Sequence, residues 1–184
     1  MMTINESVFD RFPVLKTKRL LLREIMDEDA QAIFEMRQYP GLNRFITREA
    51  PDSLEQVSEV VDKCKKSFIT RQGIAWAALL REGEKMIGTC GFNRIEPANL
   101  RAELGGELSS RYWGKGIALE AVEAIIAFGM VEMKLHSIEA RLWPENRGAI
   151  AILEHLGFEK EAHFKEACYF QGRFIDITVY SLIA

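Results

Sequence analysis

Residues 107–122 of this 184-residue chain read ELSSRYWGKGIALEAV. A strand pattern ends, Gly114, Lys115 and Gly116 follow, and a long apolar helical pattern begins at once. Glycines at such a junction let the backbone turn so that consecutive N–H groups point outward, while the first helical turn adds unpaired donors and a positive partial charge. The chemistry this suits is the binding of an anion, best of all a phosphate. Spacing excludes two common phosphate loops. A Walker loop needs Ser or Thr after its GK, where this chain has Gly116, and the dinucleotide fingerprint needs a third small residue where it has Leu119. Taken alone, the glycine pair also suits a plain tight turn between a strand and a helix.

The elements around this loop follow from periodicity. Residues 15–24 (LKTKRLLLRE) read as a strand, and Asp27, Glu28 and Asp29 place carboxylates where a helix start favours them, with Ala30, Ile33, Phe34 and Arg37 at helical spacing up to Pro40-Gly41. Ser53 caps a second helix with Leu54, Val57, Val60, Val61 and Cys64 on one side. Residues 75–80 and 85–95 form a hairpin about Glu82-Gly83-Glu84, and residues 102–108 a third strand. On that strand a period of two puts Glu103, Gly105 and Glu107 on one face and Leu104, Gly106 and Leu108 on the other. The helix from 116 to about 133 is apolar over an arc wide enough to lie flat on a sheet. A strand at 137–143 ends at Pro144, a short helix at 146–156 is stopped by Gly157 in the C′ position with Phe158 folding back, and residues 162–170 and 174–182 close the chain as a hairpin about Gln171-Gly172. Neither a repeat nor a linker divides residues 1–184, so one domain is expected.

With 48% hydrophobic residues, 28% charged residues and a net charge of −3, the composition is that of a globular protein with a sizeable core, and it lacks the basic excess that nucleic-acid binding leaves. The N-terminus MMTINESVFDRF has acids where a secretion signal wants Lys or Arg, and the most apolar stretch, 117–133, is broken by Glu120, Glu123 and Glu132. Cys64, Cys90 and Cys168 form no CxxC pair. A cytoplasmic protein without membrane or nucleic-acid partners is expected. His136, His155 and His163 have no metal-ligand spacing, so no metal is expected either, and Cys90, inside an apolar strand, reads as a small hydrophobe.

WGKGIA, residues 113–118, resembles the pyrophosphate-binding motif of the GNAT acetyltransferases, Q/R-x-x-G-x-G/A, with Gly116 and Ala118 on its small positions. Some thirty residues later NRGAIAILEHLGF, 146–158, resembles that family's second element, in which an Asn opens a short helix ending in GF. TKRLLLRE at 17–24, YWGKG at 112–116 and GRFIDITVYSL at 172–182 are similar to the RimJ/RimL-type branch, the ribosomal-protein N-terminal acetyltransferases. The resemblance spans residues 15–182. It implies an α+β fold: a mixed, mostly antiparallel sheet of about six to seven strands, splayed in the middle where strands 102–108 and 137–143 part, flanked by about four helices. It implies acetyl-CoA as cosubstrate in that gap, with Trp113, Gly114, Lys115, Gly116, Ile117 and Ala118 around the pyrophosphate, Leu108 and Ser109 beside the pantetheine, and Asn146 against the cofactor from the other side. Strand edges and family habit leave room for a homo-oligomer. The chain departs from the pattern at Leu119, where a phosphate-binding Thr is frequent, and at Leu153 and Ala149, where relatives carry the Tyr or Ser that protonates the leaving thiolate.

Acetyl transfer needs a neutral amine. With a pKa near 8, about a tenth of an α-amine is neutral at pH 7, against about one lysine side chain in 2,500. A modest base then suffices, and a thiol pKa near 8.5 makes the thiolate a willing leaving group. The candidate bases are Glu103 and Glu107, unless their face of the strand merely meets water. Asp176 and Tyr180 also match the branch, although a hydrogen bond between strands explains them equally well. Three functions follow: acetylation of a protein N-terminal α-amine of the ribosomal-protein type, acetylation of a small amine such as a polyamine, amino acid or aminoglycoside, or non-catalytic acyl-CoA binding. A peptide acceptor calls for an open groove, a small amine for a closed acidic pocket.

Overall fold

In the computed structural model of the chain, residues 3–83 and 85–184 are described. Met1, Met2 and Glu84 lie outside the described residues, and with them the first two positions of the N-terminal reading and the last of the Glu82-Gly83-Glu84 turn. The expected first strand is two. β1 (Leu15–Lys16) and β2 (Leu20–Glu24) pair as an antiparallel hairpin, because the Thr17 N–H donates to the Leu20 carbonyl at 3.0 Å and the Leu20 N–H returns to Thr17 Oγ1 at 2.9 Å. α1 (Ala30–Arg37) follows, and Pro40, which ends it, also opens a short α2 (Pro40–Asn43) as its first residue, where a missing N–H costs nothing. α3 (Leu54–Ile69) starts as expected at Ser53, whose hydroxyl accepts from the Gln56 N–H.

β3 (Ile74–Leu80), β4 (Met86–Glu96) and β5 (Arg101–Leu108) form the meander. Alternation along β3 feeds two cores, Trp76 and Ala78 on one face of the sheet, Ala77 and Leu79 on the other against Ile33, Val57 and Val61 of α1 and α3. α4 (Ile117–Ala127) packs on the first face through Ile117, Ala121 and Ile125. It does not run to 133 as a single α-helix. It widens into a π turn at Phe128–Glu132 that seats Gly129 on the Phe92 ring, where a Cβ would come within 2.7 Å.

β6 (Ser137–Leu142), α5 (Arg147–His155), β7 (Glu159–Phe170) and β8 (Arg173–Ile183) complete the chain. The eight strands lie in the order β1-β2-β3-β4-β5-β6-β8-β7, antiparallel throughout except where β5 meets β6. The fold is thus α+β with a mixed sheet, with one strand and one helix more than anticipated. The parallel ladder joins 101–104 to 137–140 and then stops. Beyond it β5 stays with β4 and β6 with β8, so the sheet opens into a wedge. Among the described residues no helix is long and apolar enough to cross a membrane.

Candidate active site

The wedge holds a cavity of about 620 Å³. One wall is the β5 edge with Leu104, Gly106 and Leu108; the other is β6 and α5, with Ala140, Leu142, Asn146, Ala149 and Leu153; Ile117, Ala118, Ala121 and Val122 of α4 lie between. Here the sequence expectations converge. The glycine loop enters α4 through two left-handed glycines, Gly114 at φ +69° and Gly116 at φ +70°. A Cβ at 114 would meet nothing within 4 Å, so that glycine serves the backbone angle and leaves an uncovered surface. Among the described residues the N–H groups of residues 114–118 make no backbone hydrogen bond of ordinary geometry. Their carbonyl side is engaged instead: Arg19 Nη1 donates to Lys115 O at 2.8 Å and Nη2 to Gly116 O at 3.0 Å.

Leu108 and Ser109 stand where the free β5 edge runs into the loop. The Leu108 carbonyl accepts from Trp113 Nε1 at 2.7 Å and the Ser109 N–H donates to Ile87 O at 2.8 Å. The Trp113 ring lies half-exposed, edge-on to Tyr39. Lys115 Nζ sits 5.6 Å over the Tyr112 ring. Asn146 caps α5, its side-chain oxygen accepting from the Ala149 N–H at 3.3 Å, and the same helix ends in a Schellman motif: Phe158 N–H to Leu153 O at 3.0 Å, Gly157 N–H to Glu154 O at 3.1 Å.

The polar face of β5 points to the other half of the cavity, beneath α1. Glu107, with only 4% of its side chain exposed, is clamped by two arginines: Arg37 donates to Oε1 through Nε at 2.9 Å and Nη2 at 2.6 Å, and Arg48 Nη2 donates to Oε2. Glu103, 23% exposed, has one cation near it, Arg94 at 3.6 Å. Arg94 also reaches Glu139, the residue opposite Glu103 on β6. Between the two acids, Gly105 makes room for the Asn93 side chain, which a Cβ would meet at 2.2 Å. Residues 45–48 line this half from above, Phe45 edge-on to Trp143 and Arg173 stacked over the Trp143 indole at 5.2 Å, while Gln171 Nε2 donates to Glu49 at the hairpin tip. Arg37, Arg48, Asn93, Arg141 and Trp143 are therefore wall residues too. They come from four separate stretches, so no local pattern unites them. Asp176 and Tyr180 do not line the cavity. Asp176 pairs with His163 at 2.6 Å and accepts from the Glu166 N–H, and Tyr180 packs in the core. Burial pushes the Cys90 thiol up to about 12, the state of an inert side chain although it touches the cavity.

The β5 edge beyond Leu104, the glycine loop and the wedge between the parting strands together form one cleft. A family model described as an acetyltransferase (GNAT) domain matches residues 19–159. The chain belongs to the GNAT acetyltransferase family. A GNAT relative from Bacillus licheniformis, called an uncharacterized N-acetyltransferase p20, is 33% identical over 169 residues, covering 92% of this chain and 95% of the relative. The ribosomal protein uS5-alanine N-acetyltransferase of Escherichia coli is 27% identical over 175 residues, covering 88% and 86%. In fold, this GNAT chain is similar to the solved structure of the RimL ribosomal L7/L12 alpha-N-protein acetyltransferase in complex with coenzyme A, with a TM-score of 0.84 at 19% identity over 93% of this chain and 98% of that one. It is an N-acetyltransferase.

Proposed function

We propose that the chain acetylates the free α-amine of a protein or peptide N-terminus, taking the acetyl group from acetyl-CoA. The observation that carries the reading is the parting of β5 from β6 after Ala140, beside a loop whose N–H groups at 114–118 have no backbone acceptor at ordinary geometry. In this reading the amides of Trp113, Gly114, Lys115, Gly116, Ile117 and Ala118 take the diphosphate. The β5 edge ending at Leu108 and Ser109 takes the pantetheine arm as an added strand, and Asn146 closes the far wall. Acetyl-CoA supplies an activated acyl group there. The chain's own residues bind it, align the amine and move one proton.

The base in this proposal is Glu103. A proton placed on Glu107 would leave Arg37 and Arg48 without their counter-charge, so Glu107 is read as the anchor of that wall. Glu103 is partly exposed on the cavity lining and takes the ammonium proton directly or through a water. Positions 149 and 153 carry only Ala and Leu, so the leaving thiolate takes its proton from solvent or from the amine.

The acceptor half favours a monocation. Its charged lining is Arg37, Arg48 and Arg141 against Glu103 and Glu107, an excess of one positive charge that opposes polyamines and aminoglycosides. The relatives named as ribosomal protein uS5-alanine N-acetyltransferase and ribosomal-protein-serine acetyltransferase support the choice of a protein acceptor. The cover formed by residues 45–49 and the Gln171 tip is the one feature that speaks for a small monoamine instead. A panel of N-terminal peptides, amino acids, polyamines and aminoglycosides assayed for release of the CoA thiol tests the proposal. Turnover confined to peptides is expected; turnover confined to small amines replaces the acceptor, and turnover on none replaces the enzyme with a binding protein.

A further inference from the structure

The β1–β2 turn reaches the glycine loop from behind. Arg19 spends its whole guanidinium there: Nη1 on Lys115 O, Nη2 on Gly116 O, and Nε on Glu120 Oε2 at 2.6 Å. Glu120 Oε1 accepts in turn from the Arg19 N–H at 2.7 Å and from Thr17 Oγ1 at 2.5 Å. Burial works against the Glu120 carboxylate, but these donors together hold its carboxyl below the ordinary value, so Arg19 has a fixed counter-charge. Within a planar trans peptide the C=O of one residue and the N–H of the next point in opposite directions. Drawing the carbonyls of 115 and 116 toward Arg19 therefore turns the N–H groups of 116 and 117 to the far side, where the cavity begins.

We propose that Arg19 is a positioning residue for the diphosphate: it touches no ligand, and by gripping two loop carbonyls it pre-sets the Gly116 and Ile117 N–H groups that receive one. Glu120 and Thr17 hold Arg19 in that pose. The proposal rests on the reading of residues 113–118 given above. Because Glu120 balances the Arg19 charge, its contribution is orientation rather than attraction, and a change that keeps the charge at 19, or removes both members of the pair together, leaves the salt dependence of binding as it was.

Calorimetric titration of CoA into the full chain carries the test, with circular dichroism and melting as the control for folding. Arg19→Gln is expected to weaken CoA by about ten-fold or more, the weight of one charge-assisted hydrogen bond. Arg19→Lys, which reaches one carbonyl and not two, should recover part of that loss, and Glu120→Gln should fall between Arg19→Lys and the parent. The slope of affinity against salt should match the parent in Arg19→Lys, which keeps the charge, and in the double variant Arg19→Gln/Glu120→Gln, which removes both members of the pair. Gly116→Val probes the loop itself by straining a left-handed residue, its Cβ lying 3.5 Å from the Arg19 guanidinium. If it abolishes binding while Arg19→Gln stays within two-fold of the parent, the Arg19 proposal is overturned and the loop stands. If Gly116→Val binds CoA as the parent does, the loop reading itself is lost. A flatter salt slope in Arg19→Gln/Glu120→Gln, where the net charge is unchanged, also overturns the proposal, since it means a direct ionic contact of Arg19 with phosphate. Should Arg19→Gln fail to fold, Arg19→Lys and Glu120→Gln decide the question by the same criteria.

Discussion

Two glutamates that look alike on one strand face are set to different tasks by their neighbours. Glu107 is enclosed by Arg37 and Arg48, so Glu107→Gln leaves two partly buried guanidinium groups without a carboxylate and is expected to cost about 3 kcal/mol in urea unfolding. Glu103→Gln should leave stability within about 0.5 kcal/mol and lower turnover by about a hundred-fold. Equal losses of stability in the two variants would reverse the assignment. At this scale the donor half of the proposed site is written locally in the sequence, because in that reading backbone amides do the binding and the glycines that free them are close neighbours in WGKG. The acceptor half is not, since Glu107 finds its ion-pair partner in an arginine 70 residues away. TKRL was visible at 17–20, but its part in the loop is set by a contact that spans 96 residues.

Among elements, periodicity recovered those whose burial pattern is simple. β3 and β6 appear within a residue of expectation, α3 starts where expected and runs on to Ile69 beyond the pattern followed to Cys64, and the Ser53 cap and the Gly157 stop do what their residue types imply. The misses share one cause: the structural event lacks its usual residue. The β1–β2 turn has neither Gly, Pro nor Asn and is closed by the Thr17 side chain, so LKTKRLLLRE reads as unbroken. The π turn ending α4 arises from the fit of Gly129 on Phe92, a tertiary contact. Gly157, by contrast, is local, at φ +85° with the nearest atom to a Cβ at an ordinary 3.7 Å. Gly157→Ala should therefore cost only the backbone strain, about 1 kcal/mol in chemical unfolding, without moving α5.

For the molecule as a whole, stability should pass through a plateau in pH with different groups at its two ends. The Glu166 amide and His163 hold the Asp176 carboxyl below its ordinary range, and Lys85 does the same for Glu35, as the Thr17 and Arg19 donors do for Glu120. A lowered carboxyl contributes stability above its unfolded value, and that contribution is lost as pH falls through the folded one. On the alkaline side the folded chain keeps the Cys90 proton to about 12, whereas the unfolded chain releases it near 9.0, so stability declines as pH rises above 9.0. Urea midpoints across this range should fall at both ends, and Cys90→Ala should soften the alkaline decline.

Backbone bonding runs unbroken from β1 to β5 and again from β6 to β7, yet only four residue pairs stitch these two leaves into one sheet. Such a seam is where a warmed chain begins to come apart. A molecule lodged along it with one end on each leaf acts as a rivet, so the cleft that serves the chemistry also makes the durability of the whole protein depend on how well it is fed.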